Sequence, residues 1–425
     1  MKFKENFGNL VELHKGKEIY EGILLPSPET GFVLLKLGNG YNIGFNKKEL
    51  IDMKVLEVKK ENIKDFEVPF SKAKKNVALV ILGGTIAAKL NPGKGGVDFV
   101  MDPKDLFNYF PEVFEKANVT NVEVPFMKGS ENMDYKDWQK VAKVVSELIN
   151  DKNISGVIVT QGTDTLHYTS SALSFFLKNL GKPVVLTFSQ RSIDRGSSDA
   201  RLNLLCSVEV AISDFSGVAV VGHANSSDDF CYAMAGTKVR KMHTSKRDAF
   251  RPINFEPFFK VYENKIEKII DSPKRNDKLK CEVDNKFEEK IAILKFYPGQ
   301  NPSILDYYLK EGYRGVILEM IGLGHVATSG ARVSWIKKLK EVQKKGLLIF
   351  GTAQTIFGRL DPLVYVTGRE LIETGIIYLK DMLTETAYVK LGWVLGHKDW
   401  SSSKEKVKEK MLENISYEFN DRIVD

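Results

Sequence analysis

Four short stretches of the chain carry residue types that do chemistry on one another. LGGTIA sets Thr85 behind Gly83 and Gly84, and TQGTDT sets Thr163 and Asp164 behind Gly162. GSENMD offers Ser130 and Glu131, and AGTKVRKMHTSKRDAF offers Lys238, Lys241 and Lys246. A neutral hydroxyl is a poor nucleophile until a neighbouring base takes its proton, and a lysine whose pKa is lowered can be that base. A carboxylate beside the lysine orients it. A lysine set beside a hydroxyl can therefore act as its base. No Ser-His-Asp arrangement is evident. His167 lies just beyond TQGTDT and is expected to pack in the following helix.

Each stretch alone has an ordinary structural explanation. GGT is a tight turn with a capping threonine. It lacks the spacing of a phosphate loop or of the dinucleotide fingerprint. Thr163 or Asp164 can cap the helix expected from about Thr165. One side chain suffices for a cap, however, and this turn holds two hydroxyls and a carboxylate. Ser130 and Glu131 can simply start a helix. The basic run can be a solvated face, and spacing alone does not choose among its three lysines.

The elements that must position these stretches come from hydrophobic patterning. From Asn76, apolar runs such as NVALVIL, GVIVT, PVVLTF and GVAVVGH alternate with amphipathic or apolar helical stretches. That alternation indicates a parallel sheet covered on both faces. Ligands in such sheets bind beyond the carboxyl ends of the strands, where GGT, GSENMD and QGTDT fall. The basic run follows GVAVVGH and is expected at the same edge. Residues 1–65 read as a small β-barrel of short strands, with Asn39-Gly40 as a hairpin turn. We expect a linker at 66–75, an α/β domain at 76–265, a second linker at 266–287 and a smaller α/β domain at 288–425.

Composition narrows the class. The 425 residues are 43% hydrophobic and 28% charged, as in ordinary soluble proteins. No run is long enough to span a membrane and the first residues do not read as a signal peptide, so a cytoplasmic protein is expected. Three widely spaced cysteines form no zinc pattern and no disulfide framework. A net charge of +7 permits an acidic partner such as RNA without requiring one.

Taken together, ILGGTIA and TQGTDT resemble the two signature motifs of the L-asparaginase family, a resemblance that covers roughly residues 76–425. It implies a two-domain α/β fold with the active site at a domain and subunit boundary, a homodimer core, and amide hydrolysis through a threonine acyl-enzyme. Thr85 matches the first-motif threonine, Thr163 and Asp164 match the second-motif pair, and Lys241 matches the family's lysine. By that matching Thr85 is the nucleophile, although the two threonines can exchange roles. Gly84 and Gly162 are expected near the substrate, with backbone N–H groups for the oxyanion. Ser130 matches the serine that binds the substrate's α-carboxylate. Glu131 stands where many members have glutamine, which leaves the choice between glutamine and asparagine open. The loop after the first motif offers Phe99 where a tyrosine is usual.

With the N-terminal pattern YEGILLPSP…VLLKLGNGYNIGF, and with RKMHTSKRDAF, EMIGLGHVAT and DMLTETAYVKLGWVLG, the likeness extends over nearly the whole chain. It is then similar to the D subunits of the archaeal glutamyl-tRNA(Gln) amidotransferases. That implies a chain that frees ammonia from glutamine. A partner E subunit would use the ammonia, with ATP and magnesium, on Glu-tRNA(Gln). No cofactor is implied in this chain. A free L-asparaginase with an accessory barrel, and a binding protein with an inactive hydrolase site, are the rival readings.

Overall fold

The computed structural model describes residues 1–27, 29–38, 42–58, 70–91, 96–99, 110–193 and 195–422, without the side chains of 89–91 and 96–99. The Asn39-Gly40 turn, residues 66–69 of the first linker and the centre of the loop after GGT lie outside the described residues.

Strands β1 (Leu10–Lys15), β2 (Glu18–Pro26), β3 (Phe32–Lys36), β4 (Asn42–Asn46) and β5 (Asp52–Glu57) form one sheet in the order β4-β3-β2-β1-β5. All its pairs are antiparallel, and Lys36 faces Asn42 across the β3–β4 hairpin. Val11, Leu13, Leu24, Val33, Leu35 and Phe45 make a core of their own. Among the described residues no ladder joins β4 to β5, so the expected barrel stands as a five-stranded sheet.

The chain then lays down β6 (Asn76–Ile81), the hairpin β7 (Ala88–Asn91) and β8 (Gly96–Phe99), β9 (Asn118–Glu123) and β10 (Ile154–Thr160). After these come β11 (Leu177–Lys178), β12 (Pro183–Thr187), β13 (Gly217–His223), β14 (Cys231–Ala235), β15 (Val239–Lys241), β16 (Phe250–Pro252), β17 (Phe259–Tyr262) and β18 (Lys265–Lys268). Eight of them form the sheet β18-β17-β14-β13-β12-β10-β6-β9. Its half from β9 to β13 is parallel. β6, β10 and β12 are mostly apolar and, but for Asn76, buried along their whole length, as the centre of a covered parallel sheet must be. β14, β17 and β18 then run antiparallel.

The stretch expected as a second linker holds part of β18 and the short β19 (Glu282–Val283), which pairs with β11. A second, parallel sheet follows: β20 (Ile291–Lys295), β21 (Gly315–Met320), β22 (Leu348–Ala353) and β23 (Ile377–Tyr378). The helix Leu166–Phe176 of the first unit packs on the helix Thr384–Gly396 of the second, and both feed one core through Leu173, Phe176, Ala387 and Leu391. The helix that begins behind TQGTDT therefore lies between the two units.

Among the described residues no helix is long and apolar enough to cross a membrane. All three cysteines are free and buried.

Candidate active site

The parallel ladder between β6 and β10 pairs Ile81 with Thr160, so the two motif loops leave the sheet side by side. They are pressed together. Gly84 adopts φ +81°, and a methyl group there would lie 2.2 Å from the Gly162 nitrogen. A methyl group on Gly162 would in turn lie 2.9 Å from Ser130 Oγ. Only glycine fits at position 84, and a side chain at 162 would have to push Ser130 Oγ aside. Thr85 and Thr163, each the next residue in its loop, stand on adjoining backbone.

The helix Leu166–Phe176 has Thr165 as its N-cap residue, and no side chain caps it. Thr165 Oγ1 instead donates to the Ser130 carbonyl at 2.7 Å. The capping explanation for Thr163 and Asp164 therefore fails. Both side chains turn to Lys241, whose Nζ donates to Thr163 Oγ1 at 2.7 Å and to Asp164 Oδ1 at 2.7 Å. The Lys241 side chain is 13% exposed, Asp164 is open at 63%, and Thr163 is buried. The group thus has one dry side and one side facing solvent.

Of the three lysines left open by spacing, the other two point elsewhere. Lys246 is exposed on the hairpin between β15 and β16. Lys238 is fully buried and bonds Asp381 Oδ2 at 2.6 Å. The route to Lys241 also differs from expectation. β14 intervenes after β13 and returns to the far edge of the sheet, where Ala235 faces Ala219. The segment from Gly236 then comes back past the helix Leu166–Phe176, with Ser170 Oγ on the Gly236 carbonyl at 2.6 Å.

Ser130 is buried, and its Oγ accepts from the Asp164 backbone N–H at 3.2 Å, so it braces the second loop. Glu131 is exposed and lies back against Gly129, with Asn132 Nδ2 donating to it at 3.2 Å. His167 packs as expected, beside the rings of Tyr168 and Phe250. Burial, helped by the charges of Arg240 and Lys241, pushes its pKa down to about 3, so it is neutral near pH 7.

Behind these residues stands a polar group that the sequence did not reveal. Arg240 pairs with Glu385 at 2.9 Å, and Glu385 lies 3.9 Å from His167. Burial raises the Glu385 pKa, and Arg240 opposes the rise. Nothing in the spacing of residues so far apart in the chain links Arg240 to Glu385 or Lys238 to Asp381. Their pairing depends on how the two units dock.

Known families match all three parts of the chain. The GatD N-terminal domain matches residues 6–56, the N-terminal asparaginase domain 76–273, and the glutaminase/asparaginase C-terminal domain 290–411. The glutamyl-tRNA(Gln) amidotransferase D subunit of Pyrococcus horikoshii is 42% identical over 424 residues, covering 97% of this chain and 94% of the relative. The corresponding D subunit of Sulfurisphaera tokodaii is 40% identical over 428 residues, covering 98% and 92%. Among solved structures, the thermostable L-asparaginase from Thermococcus kodakarensis superposes with a TM-score of 0.72 at 26% identity, covering 82% of this chain and all (100%) of that one. L-asparaginase I from Vibrio cholerae gives a TM-score of 0.69 at 27% identity, covering 82% and 99%. An asparaginase-type body behind a GatD N-terminal domain, with relatives this similar from end to end, places the chain in the family of glutamyl-tRNA(Gln) amidotransferase D subunits.

Proposed function

We propose that this chain hydrolyses the side-chain amide of glutamine and supplies the ammonia to a partner that amidates Glu-tRNA(Gln). The observation that carries the reading is Lys241 Nζ at 2.7 Å from both Thr163 Oγ1 and Asp164 Oδ1. Thr85 Oγ1 attacks the amide carbon, and its proton travels through Thr163, Lys241 and Asp164 to the leaving nitrogen. The O–C bond forms, the C–N bond breaks and ammonia departs. Water then cleaves the ester, which releases glutamate and restores Thr85. Lys241 must be in its amine form when the proton reaches it. Backbone N–H groups around Gly84 and Gly162 face the developing oxyanion. Ser130 and Glu131, on the loop that braces Asp164, hold the charged ends of the substrate.

The chain uses no cofactor of its own in this scheme. ATP and magnesium belong to the partner E subunit, the protein works in the cytoplasm, and its asparaginase-type body is a homodimer. The N-terminal sheet serves the assembly, since every proposed catalytic residue lies beyond it.

Two measurements test this. Thr85→Val is expected to abolish ammonia release without unfolding the chain, and a glutamyl adduct in the parent protein is expected at Thr85 by mass spectrometry. An adduct at Thr163 would exchange the roles of the two threonines. Glutaminase rate is expected to rise from chain alone to chain with partner, and most with partner plus Glu-tRNA(Gln). Equal rates in all three, with fast asparagine turnover, would make this a free asparaginase.

A further inference from the structure

The segment from Gly236 to Arg240, which leads into Lys241, is tied down by elements distant in the chain. The Thr237 carbonyl accepts from Thr386 Oγ1 at 2.8 Å, and Thr237 Oγ1 donates to the Ser416 carbonyl at 2.5 Å. Lys238 Nζ donates to Asp381 Oδ2 at 2.6 Å and to the Asp381 carbonyl at 2.9 Å. Both side chains of that pair are 0% exposed. The Asp381 carboxylate also accepts from the Asn420 backbone N–H at 3.2 Å and from Asn420 Nδ2 at 2.9 Å. A buried ion pair offsets its own desolvation only when its geometry is good and its remaining hydrogen-bonding positions are filled. The carboxylate's are filled and Lys238 donates twice, but two apolar side chains would occupy the space with no desolvation to offset. What the ion pair adds is a fixed direction and distance between two units.

We propose that Lys238 and Asp381 are positioning residues, which lock the strand root of Lys241 to the second α/β unit. The inference rests on Lys241 as the base. Lys238 stands only three residues before Lys241, with Val239 buried in the core between them. A shift of the root therefore moves the ammonium relative to Thr163 and Asp164. Misplacement by about 1 Å costs roughly a hundredfold in rate.

The test uses the full chain and measures kcat and KM for glutamine beside the melting temperature. Lys238→Met with Asp381→Leu removes both charges and leaves none buried alone. We expect it to fold, with kcat down about a hundredfold and KM within about threefold. Asp381→Glu keeps the charge pair but lengthens it by one methylene, and is expected to lower kcat about tenfold at unchanged KM. Lys182→Met is the control: Lys182 is buried and bonds the Asp151 and Ile154 carbonyls, so it should lose stability without loss of kcat. Parent-like kcat in Asp381→Glu, or in the double variant if it folds, overturns the proposal. So does an equal loss of kcat in Lys182→Met. Lys241→Met separates the two readings: if it is mild, the base assignment itself is wrong. If it is inactive while the anchor variants keep full kcat, only the anchor fails.

Discussion

At the scale of single residues, the choice among three lysines shows what geometry adds to sequence. Spacing left Lys238, Lys241 and Lys246 equal, and only the family resemblance favoured Lys241. The contacts separate them, because Lys241 alone of the three reaches Thr163. Lys241→Met should lower glutaminase kcat by about a hundred- to ten-thousand-fold, whereas Lys246→Met should leave it near the parent value. Steady-state ammonia release checks both. His167 gives a prediction about pH. Its pKa falls from an ordinary 6.5 to about 3 on burial, so between those values the unfolded chain holds a proton that the folded chain does not. Stability is then highest above pH 6.5 and is lost as pH falls through that window, by about 1.4 kcal/mol per pH unit. Urea unfolding at pH 7.5, 6 and 5 should show a shallower acid loss in His167→Gln.

At the scale of elements, the site exists because β6 and β10 are parallel neighbours whose loops share one narrow space. Gly84→Ala meets both the φ of +81° and the Gly162 nitrogen at 2.2 Å. Backbone strain of this kind costs about 1–3 kcal/mol, and moving the loop apart separates Thr85 from Thr163. We expect glutaminase to vanish while the chain still melts cooperatively, read by calorimetry beside ammonia release. The central strands were legible because two covered faces impose continuous apolar runs. β14 was missed, as a five-residue strand behind the polar loop ANSSDD. β18 and β19 were read as linker because edge strands keep polar, charged side chains toward water. The motif loops were legible as candidates, but the bonds from Thr163 and Asp164 to Lys241 were not. They depend on the return of the chain from Ala235 past the helix Leu166–Phe176.

At the scale of the whole molecule, three units divide the work unevenly. The N-terminal sheet has its own core, while the two α/β units share one. The sharing is polar as well as apolar, and residues 414–420 take part in it. Glu418 satisfies the fully buried Lys390 at 2.5 Å, Ser416 receives Thr237, and Asn420 completes Asp381. A chain that stops at Leu412 leaves Lys390 without Glu418 and the Glu413 carbonyl, and takes the Phe419 ring off it. We expect such a chain to melt lower and to release no ammonia, and parent-like turnover from it would refute this.

Those seven residues also set an order in time. Protein synthesis delivers Thr85, Thr163, Asp164 and Lys241 long before it delivers Ser416, Glu418 and Asn420. Until the later residues arrive, Thr237 lacks the Ser416 carbonyl and Asp381 lacks Asn420, so the root of Lys241 is held only in part. On the reading proposed above, the base is then the last part of the site to be fixed in place.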